Sequence, residues 1–154
     1  MQMIIKTLIS GGQTGVDRAA LDTAIELDIP HGGWCPAGRL AEDGIIPARY
    51  LLRETPADTY LQRTEWNVRD SDATLIIAPG ELEGGTAATR RFVTQYNKAC
   101  MIIDPAQPPA ADRFRQWLQQ HSVQTLNIAG PRESKQPGIY KQSRACLISL
   151  LNES

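Results

Sequence analysis

The stretch Ile9-Ser10-Gly11-Gly12-Gln13-Thr14-Gly15-Val16-Asp17-Arg18 limits the possible folds more than any other part of the chain. A short apolar run with Ile4, Ile5, Leu8 and Ile9 enters a glycine-rich turn. Directly behind it, Val16, Ala19, Ala20, Thr23, Ala24 and Leu27 fall on one helical stripe. A strand that turns at once into a helix belongs to a βα unit, and repeated units of that kind build a parallel sheet. The turn also leaves amide N–H groups unpaired at the positive end of a helix, where phosphate or another anion is attracted.

The pattern recurs downstream. Residues 4–9 read as the first strand and 15–27 as its helix. Residues 29–34 read as a short strand entering a loop, 35–47 as a long aperiodic loop, and 50–54 as a short extended segment. A helix is expected over 58–68, and 73–78 is the clearest buried strand, stopped by Pro79-Gly80. After Gly84-Gly85-Thr86 a helix runs to about Tyr96. A strand over 99–103, a helix over 108–120 with Phe114, Trp117 and Leu118 inward, a strand over 125–129 and a helix over 139–151 complete the chain. Alternating apolar strands and amphipathic helices predict one Rossmann-like α/β domain over residues 1–154. Its mainly parallel, doubly wound sheet carries helices on both faces. Ligands on such sheets bind beyond the carboxyl ends of the strands, where strand order switches. The turns at Gly11-Gly12 and Gly84-Gly85-Thr86 are therefore expected to face each other across that crevice.

Composition narrows the function classes. The chain has 154 residues, enough for one domain with its own core, and a formal net charge of −1 without a basic stripe. Binding through neutralised nucleic-acid phosphates is thereby disfavoured. No run is long enough to span a membrane and no signal-peptide segment is apparent, so a cytoplasmic protein is expected. Cys35, Cys100 and Cys146 form no C-x-x-C pair; the last two sit in apolar patterns, and Cys35 is expected in an accessible loop. His31 and His121 lack companions at ligand spacing, so neither a metal site nor a catalytic set is predicted.

Several motifs carry possible chemistry. Gly11-Gly12-Gln13-Thr14-Gly15 has neither the G-x-G-x-x-G spacing nor the Gly-Lys-Ser/Thr of a P-loop. It reads as a bare turn or as an anion cradle. Thr14, as helix cap and donor, and Arg18, one turn on, favour the cradle. Asp17 is assigned to the helix start, to Arg18 or to a ligand hydroxyl. Within residues 33–44, Trp34 can stack on a flat heterocycle and Arg39 can clamp a phosphate. Glu42 and Asp43 can accept from ring N–H groups. The same loop read as a solvated one packs its tryptophan on the core and pairs its own charges. Asp70 and Asp72 read as turn formers. Thr86 caps its helix or donates to a phosphate, with Thr89 one turn away. Arg132, after a strand at the same carboxyl edge, reads as a second clamp or as an ordinary surface arginine.

On these residues the chain resembles the molybdenum cofactor carrier family, within the Rossmann-like group that includes lysine-decarboxylase-like nucleotide phosphoribohydrolases. The matching segments include Ser10-Gly11-Gly12-Gln13-Thr14-Gly15-Val16-Asp17-Arg18, Gly32-Gly33-Trp34-Cys35-Pro36, Gly38-Arg39 and Ala41-Glu42-Asp43-Gly44. They continue through Arg63-Thr64, Asn67-Val68, Asp70-Ser71-Asp72, Gly84-Gly85-Thr86, Asn127-Ile128-Ala129-Gly130-Pro131-Arg132-Glu133-Ser134 and Pro137-Gly138-Ile139-Tyr140. The resemblance implies a homo-oligomer with a molybdenum cofactor-like pterin phosphate, or another phosphorylated heterocycle, in the crevice. It places Gly11, Gly12, Gln13, Thr14, Gly84, Gly85 and Thr86 there; the residue-level reading adds Gly15, Arg18, Trp34, Arg39, Glu42, Asp43 and Arg132. The related hydrolases carry a glutamate three residues beyond the motif threonine. Here that position is Thr89, which cannot act as a carboxylate acid or base. A carrier is the first reading. A hydrolase using Glu81, Glu83, Glu42 or Asp43 is the second, and a nucleotide sensor acting through an oligomer interface the third.

Overall fold

In the computed structural model, which describes residues 5–152, the chain runs β1 (Thr7–Ile9), α1 (Val16–Glu26), β2 (His31–Gly32), β3 (Trp34–Cys35), β4 (Leu40–Ala41), β5 (Gly44–Ile45) and β6 (Arg53–Glu54). It continues with α2 (Tyr60–Arg69), β7 (Ala73–Ile77), α3 (Gly84–Gln95), β8 (Ala99–Ile103), α4 (Ala111–Gln120), β9 (Thr125–Ala129) and α5 (Ile139–Leu151). The expected strand start at Ile4 lies outside the described residues.

Five strands form one parallel sheet in the order β2-β1-β9-β7-β8. From β1 the chain moves outward to β2, and from β7 outward the other way to β8; β9 then returns between β1 and β7. Strand order thus reverses at the centre, and a crevice opens beyond the carboxyl ends of β1, β9 and β7.

The pleat sorts side chains between the two faces. Leu8, Leu75, Ile77, Leu126 and Ile128 share a core with Val16, Ala20 and Ala24 of α1, Phe114 and Leu118 of α4, and Ile139, Leu147 and Leu150 of α5. On the opposite face the alternate positions include Ile76, Thr74 and Asn127, on the side where α2 packs with α3. The Asn127 amide donates to Thr74 Oγ1 at 3.2 Å. One face is therefore an apolar core and the other carries buried polar groups next to the crevice.

The expected strand over 29–34 breaks in two at Gly33. Its φ of 126° and missing β-carbon let it lie against the Ser10 backbone. Beyond it β3 leaves the main sheet and pairs in parallel with β6. The expected aperiodic loop contains a small antiparallel hairpin, with Leu40 opposite Ile45. Cys35, expected to be accessible, is buried against Leu21, Ala41, Ile46 and Tyr50. The expected caps also move: α1 and α3 start after Gly15 and Glu83, neither start has a side-chain cap, and Thr86 lies inside α3. Among the described residues, no helix is long and apolar enough to cross a membrane.

Candidate functional site

The crevice deepens into a cavity of about 410 Å³, within the size range of small-molecule sites. The β1–α1 turn gives Gly11, Gln13 and Asp17 to its wall, and α2 gives Tyr60, Arg63, Thr64 and Asn67. The β7–α3 junction brings Gly84, Gly85, Thr86 and Thr89, and β9 with its following loop brings Asn127, Arg132 and Lys135. The structure thus sets Gly11, Gln13, Gly84, Gly85, Thr86 and Arg132 around one space.

The two glycine corners differ in what their amides already hold. At the first, Gln13 N donates to the Asp17 carboxylate at 3.2 Å, and Thr14 N donates to Gln13 Oε1 at 3.0 Å. Val16 N donates to the Pro131 carbonyl at 3.3 Å, and Gly12 N meets Ser10 Oγ at 3.4 Å. The protein's own carboxylate thus sits where the sequence suggested an external anion. Asp17 is buried, and that burial pushes its pKa up to about 6 against the opposing effect of Arg63 and of the Gln13 amide. Arg63 Nη1 lies 3.5 Å from Asp17 Oδ2 and donates to the Gly11 carbonyl at 2.8 Å. A β-carbon on residue 11 would overlap this guanidinium, so glycine is what allows the arginine to pass so close.

The second corner is open. Gly84 and Gly85 are the first two residues of α3, and N–H groups at such positions have no partner within the helix. Among the described residues nothing else pairs with them. Four buried side chains of the same cavity also keep a polar atom without a hydrogen bond among the described residues. They are Thr86 Oγ1, Arg63 Nη2, Gln13 Nε2 and Asn127 Oδ1, on residues 7%, 8%, 6% and 3% exposed. These atoms have no protein partner among the described residues and their residues line the cavity, so they are available to hydrogen-bond a ligand there.

Other sequence-derived residues are engaged elsewhere. Arg39 spreads its guanidinium over the carbonyls of Ile46, Leu52, Pro47 and Tyr50, at 3.3, 3.2, 2.9 and 3.0 Å, and so closes the loop rather than facing the cavity. Trp34 packs edge-on to Trp66 at 4.8 Å, lies under Arg53 at 4.2 Å and donates its indole N–H to Asp70 at 2.8 Å. Its ring is taken up by these neighbours and does not line the cavity. Arg18 forms a two-pronged pair with Asp43, both bonds 2.9 Å, and donates to the Gly12 carbonyl. The Arg18 hydrogen bond holds the Asp43 carboxyl below its ordinary range.

Glu42 joins three loops. It accepts from the Thr14 hydroxyl and from Ser134 N at 3.1 Å, its own amide donates to Gln13 Oε1 at 2.8 Å, and Arg132 Nε lies 3.6 Å away. These bonds commit Thr14 and Glu42 to a latch behind the cavity wall. Gly12 packs against Leu52 and Ile46, and Gly15 against the backbone of residues 131–133.

Arg63, Tyr60, Asn127, Thr64 and Lys135 also line the cavity, and none of them is among the binding residues expected from the sequence. The available signal was an arginine and an asparagine, Arg63 and Asn67, four apart on the inward stripe of α2, and an asparagine inside the apolar strand Thr125-Leu126-Asn127-Ile128-Ala129. Charged or amide groups at core positions require partners. Among the described residues, no group of three His, Cys, Asp or Glu side chains is placed to hold a metal ion.

Comparisons with known proteins agree with this architecture. The model of the circularly permuted YpsA SLOG family matches residues 8–151. A crystal structure of a protein from Syntrophus aciditrophicus SB, described as a "putative molybdenum carrier protein", superposes with a TM-score of 0.92 at 49% sequence identity, covering 98% of each chain. No match is found among curated proteins.

Proposed function

The chain belongs to the circularly permuted YpsA SLOG family, and from that membership we propose that its cleft binds and carries a small phosphorylated heterocycle, such as a molybdenum cofactor-like pterin phosphate. The observation behind this reading is the convergence of unpaired polar groups at the start of α3 and on the walls beside it. The Gly84 and Gly85 amides and the Thr86 hydroxyl are donors for a phosphate, the helix start adds partial positive charge, and Lys135 and Arg132 border the same space. The first corner, occupied by Asp17, supports the wall and has no free cradle to offer. Tyr60 borders the cavity with the Arg63 guanidinium over its ring at 5.2 Å, and the stacking role that the sequence suggested for Trp34 falls to the rest of its ring.

These residues fit a pterin phosphate: donors for the phosphate, an aromatic face, and further unpaired amide and guanidinium groups for the ring edge. A metal carried as cargo would arrive held by its own organic cofactor. The reading includes a cytoplasmic homo-oligomer, as the family resemblance implies.

Native mass spectrometry of freshly purified protein tests ligand and assembly together. The expected result is a subunit assembly with an added mass matching a phosphorylated heterocycle, which oxidises to a fluorescent pterin. Thr86→Val, which removes one hydroxyl donor, lowers occupancy by roughly tenfold. Protein that stays bare after incubation with pterin phosphates and nucleoside monophosphates contradicts the proposal. Glu81 and Glu83 border the cavity, which favours a hydrolase as the second reading over one built on the latched Glu42 and Asp43. Release of free base from a nucleoside monophosphate would move the assignment there.

A further inference from the structure

Resting on the phosphate reading above, we propose that the inner wall of the cleft selects heterocycles that present an oxo (lactam) edge over those that present an amino group at the same position. The atoms that remain unpaired on this wall are mostly donors. Gln13 has its orientation fixed, because its Oε1 accepts from both Thr14 N at 3.0 Å and Glu42 N at 2.8 Å. Its free atom is therefore the amide nitrogen, a donor.

Arg63 is fixed in the same way. Its Nε donates to Thr64 Oγ1 at 3.2 Å, and its Nη1 to the Gly11 carbonyl at 2.8 Å, with Asp17 at 3.5 Å. Only Nη2 is left, again a donor and never an acceptor. Asp17 offsets the charge of Arg63, so the wall favours a neutral hydrogen-bond acceptor over a second full anion. Asn127, whose amide nitrogen is used by Thr74, leaves Oδ1 to accept a ring N–H.

Two donors and one acceptor in the same cavity match the keto oxygen, its neighbouring acceptor and the N–H of a lactam. That pattern occurs in 4-oxopterins and 6-oxopurines. An amino group in place of the keto oxygen would set N–H against N–H and leave buried donors unpaired, the kind of mismatch that discriminates most strongly between ligands. Pairing of an arginine with a ring oxygen and nitrogen is also how guanine edges are recognised elsewhere.

Inosine and adenosine monophosphates differ only along this edge, and calorimetric titration of the unaltered protein with each is the test. The expected result is tighter binding of the inosine nucleotide by about tenfold or more. Arg63→Gln should bring the two to within about twofold, and Arg63→Lys, which keeps a donor, should retain part of the preference. Equal affinities, or tighter binding of the adenosine nucleotide, overturn lactam selection. If in that case Thr86→Val still weakens both nucleotides, the phosphate reading survives alone. Failure of both nucleotides and of a pterin phosphate to bind removes the two proposals together. The nucleotide comparison needs no variant, so a poorly folding Arg63 substitution does not remove the test.

Discussion

Asp17 takes the position that the glycine-rich turn offers to an anion, and this changes how the motif is understood. A carboxylate on the protein's own helix accepts from the Gln13 amide and faces Arg63, so the turn is satisfied before any ligand arrives. Burial raises its pKa from 3.8 to about 6. The folded protein therefore holds this proton more tightly than the unfolded chain. The stability contributed by protonation is fully present below about 3.8 and is lost as the pH rises through about 6. Carboxyl-carbon NMR should show Asp17 titrating near 6, and Arg63→Gln, which removes the strongest opposing charge, should move that midpoint higher. Asp17→Asn should gain stability relative to the unaltered protein as the pH is raised from about 4 to about 7 in urea melts. An Asp17 midpoint close to 4 contradicts this reading.

The same residue shows what single positions reveal in the sequence. Asp17 was visible as a charge beside an expected anion, and its bond to the turn follows from a geometry that only the folded chain has. Arg63 carried a faint mark as an arginine on an inward stripe. Trp34 and Arg39 looked like ligand contacts because both residue types serve that purpose, and only the partners Trp66, Asp70 and four carbonyls show otherwise.

At the level of elements, the long helices and strands were legible because their periods extend over many residues. The strand β7 is buried throughout, and α1 buries Val16, Ala19, Ala20, Thr23 and Ala24 as its stripe requires. The hairpin of β4 and β5 was not legible, since strands of two residues have no period to read. The helix starts differ from the sequence reading for a related reason: threonine beside glycine suggests a cap, yet Thr14 bonds Glu42 and Thr86 is the third residue of α3. Glu42 ties the hairpin to the β1–α1 turn and to Ser134, beside the Arg18–Asp43 pair. Glu42→Ala should speed hydrogen exchange at Ser134 and at residues 40–46 by roughly tenfold while leaving the amides of β7 unchanged. Unaltered exchange around the hairpin would show that Arg18–Asp43 and Arg39 suffice to hold it.

For the whole molecule, fold class followed from the alternation of elements, whereas strand order did not. Nothing in residues 125–129 says that this strand inserts between β1 and β7, and that insertion is what gives the crevice a central Asn127. The apolar side of the sheet depends on Phe114, fully buried between α4 and the core. Phe114→Ala should cost about 3–5 kcal/mol in urea unfolding, with smaller effects on ligand affinity because the cavity lies at the strand ends. A loss under about 1 kcal/mol would mean that this side of the core is less tightly packed than the structure indicates.

The proposed function rests on a grip on an anion at the start of α3, with the β1–α1 corner already filled from within. An amide NMR titration with inosine monophosphate tests it most directly. The predicted result is saturable shifts at Gly84, Gly85 and Thr86 with little change at Gly12, Gln13 and Thr14. Shifts concentrated at Gly12–Thr14, with Gly84–Thr86 unmoved, would contradict it.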